Sequence, residues 1–290
     1  MKDLRQVTVI GLGLLGSSVT LAISRNKFGI KTAGYSHRAS TRSRARRLGV
    51  ADVIYDDIRK SVANADIVIL ATPICTFGET FKTIAGALKK GCIVTDVGST
   101  KILPHKWAEK FLPKFVNYVG SHPIAGSEQR GVEFGRDDLF DGAACIITKD
   151  ASTNPSAVRT LNKFWSSLGC RVCTMSPPQH DEIFANVSHL PHALAATLLN
   201  ASDLNQLKFC GKGFMDTSRI ASGPANIWAD IFYTNSENIC KGIERIIKEL
   251  LKLKKAVKVK DKNKIEKLLA LANDKRARLM KYKVSKKEIQ

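Results

Sequence analysis

The feature that most constrains this chain is a short apolar run that leads directly into a glycine-rich turn. Val7–Ile10 has the composition of a buried strand, and the turn GLGLLG at residues 11–16 follows it before an apolar helical pattern begins. In this context the spacing predicts a dinucleotide site, whereas the alternative is an ordinary glycine-rich turn. The glycines allow a tight turn, close approach of a pyrophosphate and close packing of helix on strand. The predicted cofactor-binding residues of this turn are Gly11, Gly13, Leu14, Leu15 and Gly16.

Apolar runs of strand length alternate with helical stretches through the first 175 residues. The further predicted strands are residues 30–35, 65–73, 91–97, 115–120, 144–148 and 170–175. This alternation is typical of an α/β, doubly wound, mainly parallel sheet, which binds ligands beyond the carboxyl ends of its strands. After Pro177-Pro178 only helical periodicity continues. We therefore predict a Rossmann-like domain over residues 1–175 and an all-helical domain over residues 176–290.

The net charge of +20 is concentrated near the C-terminus. Residues 241–290 hold 18 Lys and Arg against 6 Asp and Glu, and these charges are interleaved with an apolar helical stripe. That pattern is typical of a solvated helix face, and no aromatic platform or nucleic-acid module accompanies it. We predict no specific nucleic-acid partner, with weak polyanion binding left open.

The remaining composition favours a cytoplasmic protein. The apolar runs are too short to span a bilayer, and the first strand begins too close to Met1 for a signal or transit peptide. The seven cysteines indicate a reducing compartment. A zinc site formed by the CxxC at 170–173 and the HxxH at 189–192 is the alternative. Because an extended strand directs these two cysteines to opposite faces, we predict no metal.

The cofactor preference depends on the residue twenty positions after the glycine turn. Dinucleotide domains often carry an acidic residue there, which binds the adenosine ribose. Here the position is Ser36, with Arg38 and Arg42 nearby. Serine does not repel a 2′-phosphate and arginine pairs with one, so the sequence favours NADP, with NAD also possible. The alternative is that Ser36 tolerates either cofactor and that the arginines only face solvent.

Four polar clusters follow the predicted strands or lie beyond the boundary. They are TDVGSTK at 95–101, SHPIAGSE at 121–128, SHLPH at 188–192 and GFMDTSRIA at 213–221. Each has an ordinary structural explanation on its own, since Ser99 and Asp216 could cap helices and His122 could be a turn histidine. Together with GLGLLG and the ATP at 71–73, they make the chain resemble the prephenate/arogenate dehydrogenase family of tyrosine biosynthesis along nearly its whole length.

The resemblance implies a fold and a set of roles. It implies that the helical domain forms a homodimer, that the active site lies between the domains, and that Thr72 and Pro73 bind the cofactor. His122 corresponds to the catalytic base and Ser99 to a serine that orients it and the substrate hydroxyl. The implied substrate-binding residues are Arg219, which binds a carboxylate, together with His189, His192, Glu128 and Asp216. Some arogenate-preferring relatives are apolar at the position of His192, so this histidine favours prephenate.

The expected activity is therefore oxidative decarboxylation of prephenate, with arogenate as the alternative substrate. Two other functions stay open: a 3-hydroxyacid or imine reductase, and a non-catalytic NADP-binding regulator. The reductase does not account for HPIAG and SHLPH, and the regulator does not account for the retained His122, Ser99 and Arg219. The chain also lacks the pattern of a C-terminal regulatory module, so we expect no tyrosine control through one.

Overall fold

Six parallel strands form the main sheet of this computed structural model, which describes residues 4–126 and 129–285. The order of the strands across the sheet is β3-β2-β1-β4-β5-β6. Their bounds are β1 Gln6–Ile10, β2 Lys31–Tyr35, β3 Val53–Ile54, β4 Ile67–Leu70, β5 Ile93–Asp96 and β6 Asn117–Tyr118. Every residue of β1, β4 and β5 is buried, as expected for parallel strands covered on both faces.

Five helices connect these strands: α1 Leu14–Arg25, α2 Ala39–Arg47, α3 Ile58–Val62, α4 Phe77–Ile84 and α5 Ile102–Phe111. A sixth, α6 Pro155–Ser167, follows later in the chain, and two apolar clusters are buried between helices and sheet. Alternate residues of β4 enter opposite clusters, with Ile67 and Ile69 in one and Val68 and Leu70 in the other. This division follows from the two-residue period of side chains along a strand.

A second, three-stranded sheet follows the parallel one. It contains β7 Gly120–Ile124, β8 Ala144–Thr148 and β9 Arg171–Met175, with β7 antiparallel to β8 and β9 parallel to it. The predicted strand at 115–120 is thus two strands in different sheets. A β-carbon on Gly120 would lie 2.9 Å from the Lys101 side chain and still closer to Thr148. Only glycine fits at this crowded junction.

The part of the chain after β9 that the structure describes is helical. It contains α7 Pro177–Phe184, α8 Leu190–Asn200, α9 Leu204–Leu207, α10 Lys212–Ser218, α11 Ala225–Thr234, α12 Ser236–Lys258 and α13 Lys262–Ser285. Pro177 and Pro178 occupy the first turn of α7, where a missing N–H costs nothing, and Ser176 caps this helix. The helices therefore begin at this proline pair, so the pair belongs to the first helix and does not precede it. A π-helical turn, Ala185–His189, joins α7 to α8.

The chain divides into two compact units, Met1–Ile239 and Cys240–Gln290. The larger unit holds both sheets and helices α1 to α11. In the smaller unit the Asp261 carboxylate accepts the N–H of Lys264 and so caps α13. The predicted domain boundary at residue 175 stays a prediction. Among the described residues, every helix is too short or too polar to cross a membrane.

Candidate functional site

The glycine turn lies at the carboxyl end of β1 and at the start of α1. Gly11 has φ +101°, and a β-carbon there would lie 2.5 Å from the Ala71 carbonyl oxygen. A β-carbon on Gly16 would collide with the Gly11 carbonyl, whereas one on Gly13 would meet no atom within 4 Å. Gly13 is the N-cap of α1 and has no side chain to cap its N–H groups. The turn therefore fits a pyrophosphate, which the N–H groups of a helix N-terminus bind well.

A cavity of about 310 Å³ opens beside this turn. The carboxyl ends of β1, β4 and β5 meet here, as expected for ligand sites of doubly wound sheets. Its walls include the predicted site residues Gly13, Leu14, Leu15, Thr72, Pro73 and Ser99, together with Ile227 and Asp230 of α11 and its N-cap Pro224. The structure thus brings the predicted cofactor turn and Ser99 into one cavity. Glu128 lies outside the described residues.

The predicted adenosine end of the site contains an acidic residue that the sequence analysis missed. Ser36 is buried just after β2, and Arg38 is exposed at the start of α2. Arg42 donates from Nη1 to the Ser36 carbonyl at 2.7 Å and from Nε to the Asp56 carboxylate at 2.7 Å. Arg46 also binds Asp56. Arg42 therefore already has protein acceptors, with which a 2′-phosphate would compete.

A buried ion pair supports the loop that carries Ser99. Lys101 donates to the Asp96 carboxylate and to the Gly98 carbonyl oxygen, at 2.5 and 2.7 Å. Asp96 also accepts from the Gly98 N–H and from the Tyr118 hydroxyl, each at 2.9 Å. The side chains of Asp96 and Lys101 have no solvent exposure. This network fixes the backbone on both sides of Ser99.

His122 lies on β7, at one end of a chain of hydrogen bonds. Its Nδ1 is 2.8 Å from Nε2 of His180, and Nδ1 of His180 is 2.8 Å from Oδ1 of Asp181. Asp181 accepts the backbone N–H groups of Lys101 and Ile102 at 2.7 and 2.8 Å, where α5 begins. Phe184 packs against both imidazole rings. His180 and Asp181 are fully buried partners of the predicted base.

The same network continues to the other two predicted histidines. The Asn235 side chain donates to the Asp181 carbonyl oxygen at 2.7 Å and lies 3.2 Å from Nδ1 of His189. His189 meets the Trp228 indole edge to face. His192 stacks on the same indole, with ring centroids 3.5 Å apart and planes 9° apart. Both histidines are buried, with Nε2 of His189 and Nδ1 of His192 lacking a hydrogen-bond partner within the described part of the chain. Buried polar atoms of this kind are suited to a polar ligand.

Arg219 and Asp216 lie on the segment that passes next to this stack. Asp216 is exposed on α10, and Arg219 is exposed at the start of a 3₁₀ turn, Arg219–Ser222. This turn packs against α8, which carries His192. A β-carbon on Gly223 would collide with the Trp228 indole and would lie 3.1 Å from the His192 ring, so glycine lets this segment approach the stack. The structure thus places Arg219 at the start of the turn that packs against the helix of His192.

Burial keeps the histidines of this network neutral. It lowers the pKa of His122 well below 6.5, and the neighbouring His180, Lys101 and His189 lower it further. Burial also lowers the pKa of His180 to about 2 and that of His189 to about 4. It raises the pKa of Asp181, against the effect of the two backbone N–H groups bound to that carboxylate. Neutral imidazoles both accept and donate protons, so a base at His122 is available at neutral pH.

The sequence analysis missed His180, Asp181, Trp228 and Asn235. A signal for the first two was present, since a His-Asp pair directly follows the predicted domain boundary. The contacts of Trp228 and Asn235 depend on tertiary packing and leave no local pattern. Among the described residues, no three His, Cys, Asp or Glu side chains converge as metal ligands would. Cys170, just before β9, is buried, whereas Cys173, on β9, is exposed.

Known proteins match this chain along most of its length. Residues 19–174 match the nucleotide-binding domain of prephenate dehydrogenase, and residues 176–271 match the dimerization domain of prephenate dehydrogenase. Cyclohexadienyl dehydrogenase from Zymomonas mobilis is 32% identical, over 90% of this chain and 91% of that protein.

Two solved structures share the whole architecture. Prephenate dehydrogenase from A. aeolicus, in complex with hydroxyphenyl propionate and NAD+, has a TM-score of 0.88 and 33% identity, covering 96% of this chain and 99% of that one. Arogenate dehydrogenase from Synechocystis has a TM-score of 0.81 and 26% identity, covering 95% and 100%. The predicted fold class and the resemblance are both confirmed. This chain belongs to the prephenate dehydrogenase family, whose members are NAD(P)-dependent prephenate or arogenate dehydrogenases.

Proposed function

We propose that this enzyme converts prephenate to 4-hydroxyphenylpyruvate and CO₂, with NADP as its preferred hydride acceptor. The observation that carries the proposal is the hydrogen-bonded chain that holds a neutral His122 in the same compact unit as the dinucleotide cavity. A neutral imidazole accepts the ring hydroxyl proton as the carbinol carbon is oxidised. The roles given below to individual residues rest on the family resemblance together with these contacts.

The chemistry divides between cofactor and protein. A dinucleotide held by the glycine turn and the cavity beside it would supply the hydride acceptor for the ring carbon. His122 takes the hydroxyl proton at Nε2, and Ser99 orients that hydroxyl from the edge of the cavity. The bond to the ring carboxylate then breaks, CO₂ leaves, and the electron pair enters the ring, which becomes aromatic. The resulting phenolate oxygen takes the proton back from His122, which gives the phenol of the product and restores the neutral imidazole. Since aromatisation drives the reaction, the protein chiefly positions the substrate and holds the proton.

Substrate binding depends on the segment around the Trp228 stack. Arg219 binds the side-chain carboxylate, because a planar guanidinium matches a carboxylate better than an ammonium does. His189 and His192 supply the two buried ring nitrogens that lack protein partners among the described residues. In the proposal Asp216, one helical turn before Arg219, acts at the rim of the site. Glu128 is assigned to substrate binding on the family resemblance alone.

Arogenate is the competing substrate, because it carries the same ring and differs by an amino group in the side chain. The similarity to the Synechocystis arogenate dehydrogenase supports this alternative. His192 favours prephenate, since its buried imidazole gives the substrate a polar neighbour.

The preference for NADP rests on Ser36, Arg38 and Arg42. Ser36 removes the carboxylate that would repel a 2′-phosphate, and exposed Arg38 begins α2 beside it. Arg42 contributes less to binding a 2′-phosphate than its position suggests, because Asp56 and the Ser36 carbonyl already bind its guanidinium. The acceptor Asp56 therefore limits the preference for NADP, and NAD is also accepted.

A homodimer forms through the helical part of the larger unit, in this proposal. Large apolar side chains are exposed there: Val187, Leu204, Phe209, Met215 and Tyr233, with exposed fractions from 59% to 81%. Such surface usually marks an interface. The match of residues 176–271 to a dimerization domain supports the same surface. The proposal also places the enzyme in the cytoplasm, with its seven cysteines reduced, and assigns it no specific nucleic-acid partner.

The decisive assay measures cofactor reduction at 340 nm with prephenate or arogenate and with NADP or NAD. The proposal expects the highest kcat/KM with prephenate and NADP. A Ser99→Ala variant should lose part of kcat. Thr160→Ala, at a half-buried position of α6, is the control that should match the wild type. Absence of turnover with both substrates would overturn the enzymatic assignment, and a preference for arogenate would overturn the choice of substrate.

A further inference from the structure

His180 and Asp181 extend a hydrogen-bonded chain from His122, and the donor and acceptor of each hydrogen bond in this chain can be assigned. Asp181 lies at the N-terminus of α5, and each of its two carboxylate oxygens accepts a backbone N–H, from Lys101 and Ile102. Oδ1 also contacts Nδ1 of His180 at 2.8 Å. Burial raises the pKa of Asp181, but the partial positive charge of a helix N-terminus and two fixed N–H donors oppose this effect and favour the ionised carboxylate. An ionised carboxylate can only accept hydrogen bonds.

This carboxylate determines which nitrogen of His180 carries the proton. Because Asp181 accepts, Nδ1 of His180 must donate, and in a neutral imidazole Nε2 is then an acceptor. That Nε2 lies 2.8 Å from Nδ1 of His122. Nδ1 of His122 must therefore donate in turn, which leaves the lone pair of its Nε2 free. An imidazole held in this way is a competent base toward a substrate hydroxyl.

We propose that His180 and Asp181 are positioning residues that hold His122 in its Nδ1–H tautomer. The inference rests on the proposed role of His122 as the base. It adds that the correct tautomer is imposed by the protein before the substrate binds. The device follows the same logic as the carboxylate that orients the histidine of serine proteases, although here a second imidazole stands between the carboxylate and the base.

The first test reads the tautomer directly, without turnover. In the full-length protein labelled with ¹⁵N-histidine, two-bond nitrogen–proton correlation spectra distinguish protonated from bare ring nitrogens, and His122→Asn identifies the His122 signals. The proposal expects Nδ1–H for His122 in the wild type. It expects Nε2–H to rise in His180→Leu, which offers no acceptor. An Nε2–H tautomer in the wild type, or an unchanged tautomer in His180→Leu, would overturn the proposal.

The second test separates positioning from packing. His180→Leu should lower kcat with prephenate about 100-fold with KM little changed, since only the base is affected. His180→Gln keeps an acceptor oxygen near the position of the imidazole Nε2 and should recover at least a tenth of the wild-type kcat. Phe184→Leu disturbs the packing of both rings without touching the chain and should stay within a few-fold of the wild type.

Different outcomes of the two tests contradict different parts of the proposal. Equal losses of kcat in His180→Leu, His180→Gln and Phe184→Leu would show that packing alone matters and would contradict the proposal. If the wild type shows the Nδ1–H tautomer but His122→Asn retains full turnover, the assignment of His122 as base fails, although the tautomer itself is as inferred. The tautomer thus separates an error in this inference from an error in the proposed function.

Discussion

Nζ of Lys101 lies 2.5 Å from Oδ2 of Asp96, and both side chains are completely shielded from solvent. The two residues bracket the loop that carries Ser99 to the cavity. The Asp96 carboxylate also accepts the backbone N–H of Gly98, while Lys101 binds the Gly98 carbonyl oxygen. One buried pair therefore holds both peptide groups of Gly98 and fixes the direction in which the chain leaves β5.

Replacing one partner of this pair should be severely destabilising. Lys101→Met leaves the Asp96 carboxylate buried without its cation, and breaking a buried pair in this way costs about 3–5 kcal/mol. Urea denaturation followed by circular dichroism measures the change in the free energy of unfolding. Lys252→Met is the control, because its ion pair with Glu249 is largely exposed and should contribute little. Equal stabilities of the two variants would show that the buried pair does not support the loop.

The cofactor preference should respond to charge at position 36. Ser36→Asp places a carboxylate where the proposal puts the 2′-phosphate, so the ratio of kcat/KM for NADP to that for NAD should fall at least tenfold. Ser36→Ala removes the hydroxyl without adding charge and should change the ratio much less. Steady-state kinetics with both cofactors measures the effect. A wild type that strongly prefers NAD would contradict this interpretation of Ser36.

Stability should fall as the pH drops below the ordinary pKa of histidine. Burial lowers the pKa of His105 and of His189 to about 4, and that of His180 to about 2, from 6.5. Between the folded and unfolded values the unfolded chain binds more protons, so the stability present above pH 6.5 is lost as the pH falls. Each such histidine contributes a slope of up to about 1.4 kcal/mol per pH unit.

Urea denaturation at a series of pH values from 7.5 downwards measures this slope. His105→Gln removes one of the titrating groups at a position away from His122, where the imidazole contacts Thr148. The free energy of unfolding of this variant should change less steeply with pH, by about the contribution of one histidine. If the free energy of unfolding of the wild type does not change between pH 6.5 and pH 5, the folded protein does not hold these imidazoles in the neutral form.

The parts of the fold that the sequence predicted are those with a local signal. The GLGLLG turn and the alternating apolar runs predicted the sheet and the dinucleotide site, because close packing and burial require those residue types. The split at Val119 and the separate sheet of β7 to β9 were missed, since a continuous apolar run does not reveal which strand it pairs with. Likewise, His180 and Trp228 join the site only through contacts between distant elements.

Arg219 should affect binding more than turnover. In the proposal it holds a substrate carboxylate in the ground state and in the transition state alike, so its loss weakens both equally. Arg219→Ala should therefore raise KM for prephenate about tenfold or more, with kcat changed much less. Arg219→Lys keeps the charge but loses the planar fork, so its KM should lie between that of the wild type and that of Arg219→Ala. A loss confined to kcat would show that Arg219 acts on the reacting atoms instead.

Turnover of prephenate by His122→Asn measures whether His122 accepts the proton that leaves the substrate hydroxyl. A group whose interaction strengthens in the transition state contributes to kcat rather than to substrate affinity. We expect kcat to fall by about two to four orders of magnitude while KM stays near the wild-type value. If His122→Asn folds as the wild type does and keeps near-normal turnover, His122 is not the base and another residue accepts the proton.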